Sequence, residues 1–86
     1  MSVHRLTYKA LKQIAAGQVK NDATCVVKFY SNGCHMCHNL KEYYHDLSEN
    51  DEYEGLHFYA FNIDQPPEVQ ESFGFSGVPT LAVVNA

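Results

Sequence analysis

No cluster of lysine or arginine occurs anywhere in the 86 residues, and ten acidic against six basic side chains leave a net charge of −4. Nucleic acid and anionic membrane are poor partners for such a surface. Nor does a long apolar run open the chain. Met1-Ser2-Val3-His4-Arg5 leads into a mixed polar and apolar stretch without signal-peptide or membrane-span character, so the expected location is cytoplasmic. Cysteine is scarce: three residues are an odd number and too few for a disulfide framework. In a reducing compartment, a close pair among so few points to catalysis or to a metal. Internal repeats, low-complexity tracts and Gly-, Pro- or Ser-rich linkers are lacking as well, which predicts a single domain over residues 1–86. A hydrophobic content of 45% suffices for one core in a chain this short, with modest stability.

The residues present alternate in pattern. Thr7 can cap a helix whose apolar positions Leu11, Ile14, Ala15 and Val19 follow helical spacing, with Gly17 and Lys20-Asn21-Asp22 ending it. Thr24-Cys25-Val26-Val27-Lys28-Phe29-Tyr30 is β-branched and aromatic, nearly continuous in hydrophobicity as a buried parallel strand should be. Ser31-Asn32-Gly33 breaks it. From Cys34, the residues Met36, Leu40, Tyr43, Tyr44 and Leu47 recur at steps of three and four, predicting an amphipathic helix to about Ser48. Residues 56–63 read as a second inner strand. Pro67 and Glu68 suit the opening turn of a short helix, with Val69 and Phe73 on one face and Gly74 at its stop. Residues 78–84 give a last strand. Alternating helices and strands predict an α/β sheet with helices on its faces. Tyr43, Tyr44, Tyr53, Phe58, Tyr59 and Phe61 read as core or half-buried packing, and Cys25 as a small buried hydrophobe.

The chemistry sits in Cys34-His35-Met36-Cys37. Two cysteines one helical turn apart can close a small disulfide ring. The first lies among unsatisfied backbone N–H groups at the positive end of the helix dipole, which favours thiolate over thiol. Lowering a thiol pKa from about 8.5 to about 7 raises the thiolate fraction at neutral pH from roughly 3% to roughly half. Cys34 is the expected nucleophile, and Cys37, one turn inward, the resolving thiol. The spacing alone leaves alternatives open. A zinc or iron–sulfur site would draw on His35, His38, His45 or His57, although no second C-x-x-C is present. Cys34 to His38 also satisfies the haem c pattern C-x-x-C-H, a chemistry that belongs with export.

Strand Val26 to Tyr30, the Cys34–Cys37 pair at a helix start, Phe61-Asn62-Ile63-Asp64 and Gly77-Val78-Pro79-Thr80 together resemble the thioredoxin family over residues 24–84. The resemblance implies a thioredoxin-like α/β fold and a thiol–disulfide oxidoreductase that exchanges a Cys34–Cys37 dithiol with protein disulfide substrates. It implies no cofactor and no metal, and a reductase or glutathione as electron donor. It also implies a cis proline at Pro79 beside the disulfide, and substrate backbone pairing at Val78. Gly33 stands where the family usually has Trp, and His35-Met36 where it has Gly-Pro; Gly33 and Met36 thus border the expected substrate groove. Gly77 is expected to supply backbone freedom beside the proline.

Lys28 replaces the family's buried Asp, and Ala60 replaces its Lys partner, so the usual proton relay is missing. Lys28 and, when protonated, His35 are expected to tune the redox pair. The chain stops at Ala86, before the family's last strand and helix, which leaves Thr80 to Val84 as an uncharged edge open to self-association. The rival reading is a thioredoxin-like binding subunit or adaptor. Glutaredoxin is a nearer variant, since Val78-Pro79 would suit it equally.

Overall fold

The computed structural model describes residues 3–18, 24–64 and 68–85; the expected positions of Val19, Lys20-Asn21-Asp22 and Pro67 lie outside them. Chain order runs β1 (His4–Arg5), α1 (Tyr8–Ala15), β2 (Thr24–Tyr30), α2 (His35–Ser48), a 3-10 turn (Asp51–Tyr53), β3 (Leu56–Asn62), α3 (Glu68–Ser72) and β4 (Thr80–Val84). The four strands form one sheet in the order β1-β3-β2-β4. β3 pairs parallel to both β1 and β2, as the helical crossover α2 between β2 and β3 requires, whereas β4 runs antiparallel to β2. The thioredoxin-like α/β expectation therefore holds in its mixed sheet and flanking helices. β1 was not anticipated, because two residues carry no alternation to read.

Local chemistry accounts for the helix ends. Ala10 N–H donates to Thr7 Oγ1 at 3.1 Å, so Thr7 caps α1 and leaves Leu11 and Ile14 buried. Ala15, expected on that face, is exposed. Gly17 and Gly74, at φ +79° and +74°, end α1 and α3 in the left-handed region that a Cβ disfavours. Gly77 needs no such freedom: its φ is ordinary and a Cβ there would meet no atom within 4 Å.

Two clusters flank the sheet. Leu11, Val27, Phe29, Phe61, Ile63 and Val69 pack on the α1 and α3 side, with Phe73, Phe75 and Val78 at the margin. On the other side Val26, Tyr44 and Phe58 join α2 to the sheet. The buried stripe of α2 is Cys37, Tyr44 and Ser48, with Leu40 and Leu47 half-buried. Met36 and Tyr43, expected on this stripe, are instead 68% and 62% exposed. Each precedes a buried residue by one position, and one helical step turns a side chain by roughly 100°. Tyr53 is exposed as well. Cys25 is buried and unpaired, with burial pushing its thiol pKa up. β4 lies at a sheet margin, and Leu81 and Val83 face solvent.

Candidate active site

The antiparallel pairing of β2 with β4 sets Phe29 opposite Thr80. The chain leaving β2 toward Cys34 therefore passes the chain entering β4 through Val78 and Pro79. Cys34 is the N-cap of α2, extended at φ −96° and ψ 107°, and the Cys37 N–H points at its Sγ from 3.0 Å. That N–H is one of the orphan donors of the first turn, so it is free to stabilise charge on sulfur. Cys34 and Cys37 form a disulfide with Cα atoms 5.2 Å apart. The two differ in access: Cys34 is half-buried, while Cys37 is buried. Cys34 Sγ also lies 3.7 Å from the carbonyl oxygen of Val78, and the Val78–Pro79 peptide is cis.

Gly33, His35 and Met36 stand exposed around the disulfide, and Val78 and Pro79 line its other side half-buried. Lys28, buried on β2 opposite Ala60 of β3, lines the same cleft as Cys37. Its Nζ lies 5.0 Å from the Tyr44 ring centre and 5.8 Å from that of Tyr30. The Tyr44 hydroxyl, close to the carbonyls of Tyr59 (2.7 Å) and Val26 (3.0 Å), donates its one proton to either and ties α2 to both inner strands. Burial first, and then the Lys41 charge, push the Lys28 pKa below its ordinary value.

A lysine whose folded pKa is depressed binds protons less well folded than unfolded. Its charge therefore opposes folding below the folded pKa, and the penalty is relieved as pH rises through that value toward the ordinary 10.5. The ring contacts offset part of this cost. Lys28→Met is expected to be more stable than wild type at pH 7, with the advantage fading toward pH 10.5. Urea titrations at several pH values measure it.

Asn32, which the sequence places on the approach to Cys34, is joined here by two polar residues read only as part of the family-like run, Asn62 and Asp64. Asn32 N–H donates to Asp64 Oδ2 at 3.2 Å, and Asn62 Nδ2 donates to Asn32 Oδ1 at 3.1 Å. Asp64 N–H in turn donates to Asn62 Oδ1 at 2.9 Å. This chain of bonds fastens the turn before Cys34 to the end of β3, so Asn32 is held rather than loose. The signal was present as two polar residues flanking the buried Ile63, but nothing local joins them to a turn thirty residues earlier.

The histidines do not gather around the thiols as a ligand set. His38 Nε2 lies 3.3 Å from Asn32 O, His45 pairs with Glu49 at 3.7 Å, and His57 stacks on Tyr59 along β3. Among the described residues, no three of His, Cys, Asp or Glu converge in a group able to hold a metal ion. No helix among those residues is long and apolar enough to cross a membrane.

Solved structures share this architecture. A thioredoxin from Malassezia sympodialis superposes with a TM-score of 0.80 at 20% identity, over 96% of this chain and 70% of its own. Wild-type thioredoxin h from poplar gives 0.81 at 22%, over 99% and 76%. Thioredoxin f from spinach chloroplast gives 0.81 at 20%, over 98% and 72%. At such identities the likeness speaks for the fold. The family model described as Thioredoxin matches residues 5–86, and on the strength of that match along almost its entire length this chain belongs to the thioredoxin family.

Proposed function

We propose that the chain is a dithiol–disulfide exchange protein that reduces disulfides of other proteins. The observation that carries this reading is Cys34 itself. It is reachable, placed at a helix N-terminus with the Cys37 N–H aimed at its Sγ, and 3.7 Å from the carbonyl of Val78. A Cys34 thiolate attacks one sulfur of a substrate disulfide; that S–S bond breaks, and the departing thiolate takes up a proton. Cys37 then loses its proton and attacks Cys34 Sγ in the mixed disulfide, releasing the second substrate thiol. The substrate gains two electrons and two protons, and the protein is left as the Cys34–Cys37 disulfide. A cellular reductase or glutathione would return it to the dithiol, in a cytoplasmic setting.

Gly33, Met36, Val78 and Pro79 are the residues we assign to the substrate groove. Gly33 has open space around it, and Met36 offers a flexible, polarisable contact surface. An extended substrate would pair its backbone with that of Val78. His35, exposed as the first residue of α2, would add positive charge beside Cys34 when protonated.

The test is turbidity from insulin reduced by dithiothreitol: acceleration by the wild-type protein is expected, and none would end this reading. Lys28 is assigned the tuning of Cys37, since both line one cleft and a cation near a thiol favours thiolate. Lys28→Met is then expected to raise the Cys37 pKa in a thiol titration. An unchanged value removes Lys28 from the mechanism.

A further inference from the structure

Between α2 and the sheet lies a cleft of ≈ 870 Å³, lined by Arg5, Ala60, Lys28, Cys37 and Lys41 among others. Register explains its character. Arg5 of β1 pairs with Ala60 of β3, and Ala60 pairs with Lys28 of β2, so the three side chains stand in one row on the face that α2 covers. The Cα atoms of Arg5 and Lys28 are two strand spacings apart, roughly 9–10 Å, with only the methyl side chain of Ala60 on the strand between them. Lys41 approaches from α2. Half of the six basic side chains in a protein of net charge −4 thus meet at one cleft. Glu42 is the carboxylate that lines it, so three basic side chains face one acidic one there. Tyr30, half-buried, adds an aromatic surface, while Tyr44 lies buried beneath it.

We infer that this cleft is a binding site for a small phosphate-bearing organic molecule, its phosphate over Ala60 between Arg5 and Lys28 and its body against Tyr30. A phosphate dianion matches the surplus of positive charge, and Arg supplies paired donors to its oxygens. The volume falls within the range of small-molecule sites, about 300–1,000 Å³, and leaves room for more than the phosphate. Resting on the proposed redox function, a second consequence follows: Cys37 shares the cleft, so a bound dianion opposes the thiolate of the reduced pair. The oxidised protein then binds the ligand more tightly than the reduced one, and by reciprocity the ligand makes the dithiol more reducing.

The experiment titrates phenyl phosphate and inorganic phosphate into the oxidised full chain while amide spectra are recorded. Saturable shifts centred on Arg5, Lys28, Lys41 and Ala60 are expected, with phenyl phosphate binding more tightly. Arg5→Gln is expected to weaken binding about tenfold, the loss of one charge-assisted contact, and Ala60→Leu to block it. Lys12→Gln, which removes the same charge from exposed α1, is expected to leave it unchanged. Absence of saturation overturns the site, as does equal weakening by Lys12→Gln, which would mark diffuse charge attraction. Retained amide dispersion in Arg5→Gln keeps the result readable if Ala60→Leu fails to fold. Equal affinity of the oxidised and reduced proteins overturns the coupling. Because binding is read on the oxidised protein without turnover, a failed insulin assay and a failed binding assay are separate results.

Discussion

Replacement of Cys34 by serine is expected to abolish insulin reduction, whereas replacement of Cys37 by serine is expected to leave a protein that attacks once and stays attached. The asymmetry follows from position. Cys34 is half-buried at the helix N-cap and receives the Cys37 N–H, an arrangement that would favour a thiolate where a substrate can reach it. A serine hydroxyl, with a far higher pKa, does not ionise there near neutral pH, and the buried Cys37 cannot take over the attack. With Cys37 replaced, Cys34 still forms the mixed disulfide, but no internal thiol lies one turn away to break it. The product is a covalent protein–substrate adduct, visible as a mass shift on a non-reducing gel and lost with dithiothreitol. Adducts formed by Cys34→Ser instead of Cys37→Ser would reverse the assigned roles.

Phe29→Ala is expected to destabilise the fold by about 3–5 kcal/mol, the range for truncating a buried phenylalanine. Phe29 is fully buried, with the Phe75, Phe73 and Phe61 ring centres 4.7, 5.2 and 6.2 Å away. Phe73 and Phe75 belong to the segment that leads toward Val78, and Val78 packs against the same cluster. The cavity left by the missing ring therefore opens under the half of the site that faces Cys34. For a small chain of modest stability a loss of this size is a large fraction of the whole. Urea unfolding measures it, and a cost below 1 kcal/mol would show that the cluster closes over the gap.

Individual residues divide cleanly between what was legible early and what was not. Thr7, Gly17 and Gly74 announce helix ends because capping and left-handed turns act within a few residues. The continuous apolar run of β2 announces an inner strand for the same reason, since both of its faces are covered. Met36 and Tyr43 misled, because helical spacing defines a stripe only to within one position and the sheet decides which edge of it is buried. β1 was invisible: His4 and Arg5 become a strand only because Tyr59 and Ala60 are there to pair with them.

Two thiols one helical turn apart, the first at a helix N-terminus, are legible in the chain itself, as is the Val-Pro pair that resemblance links to them. These are short-range facts, governed by turn geometry and the dipole of a single helix. The surroundings of the thiol pair come from strand pairing across the sheet instead. Antiparallel pairing of β2 with β4 brought Val78 to within 3.7 Å of Cys34 Sγ. Parallel pairing of β1, β3 and β2 placed Arg5 and Lys28 on either side of Ala60, in the cleft that Cys37 also lines. Residues so far apart in the chain acquire their neighbours from strand register, and register is fixed by burial of whole sheet faces rather than by any local sequence signal.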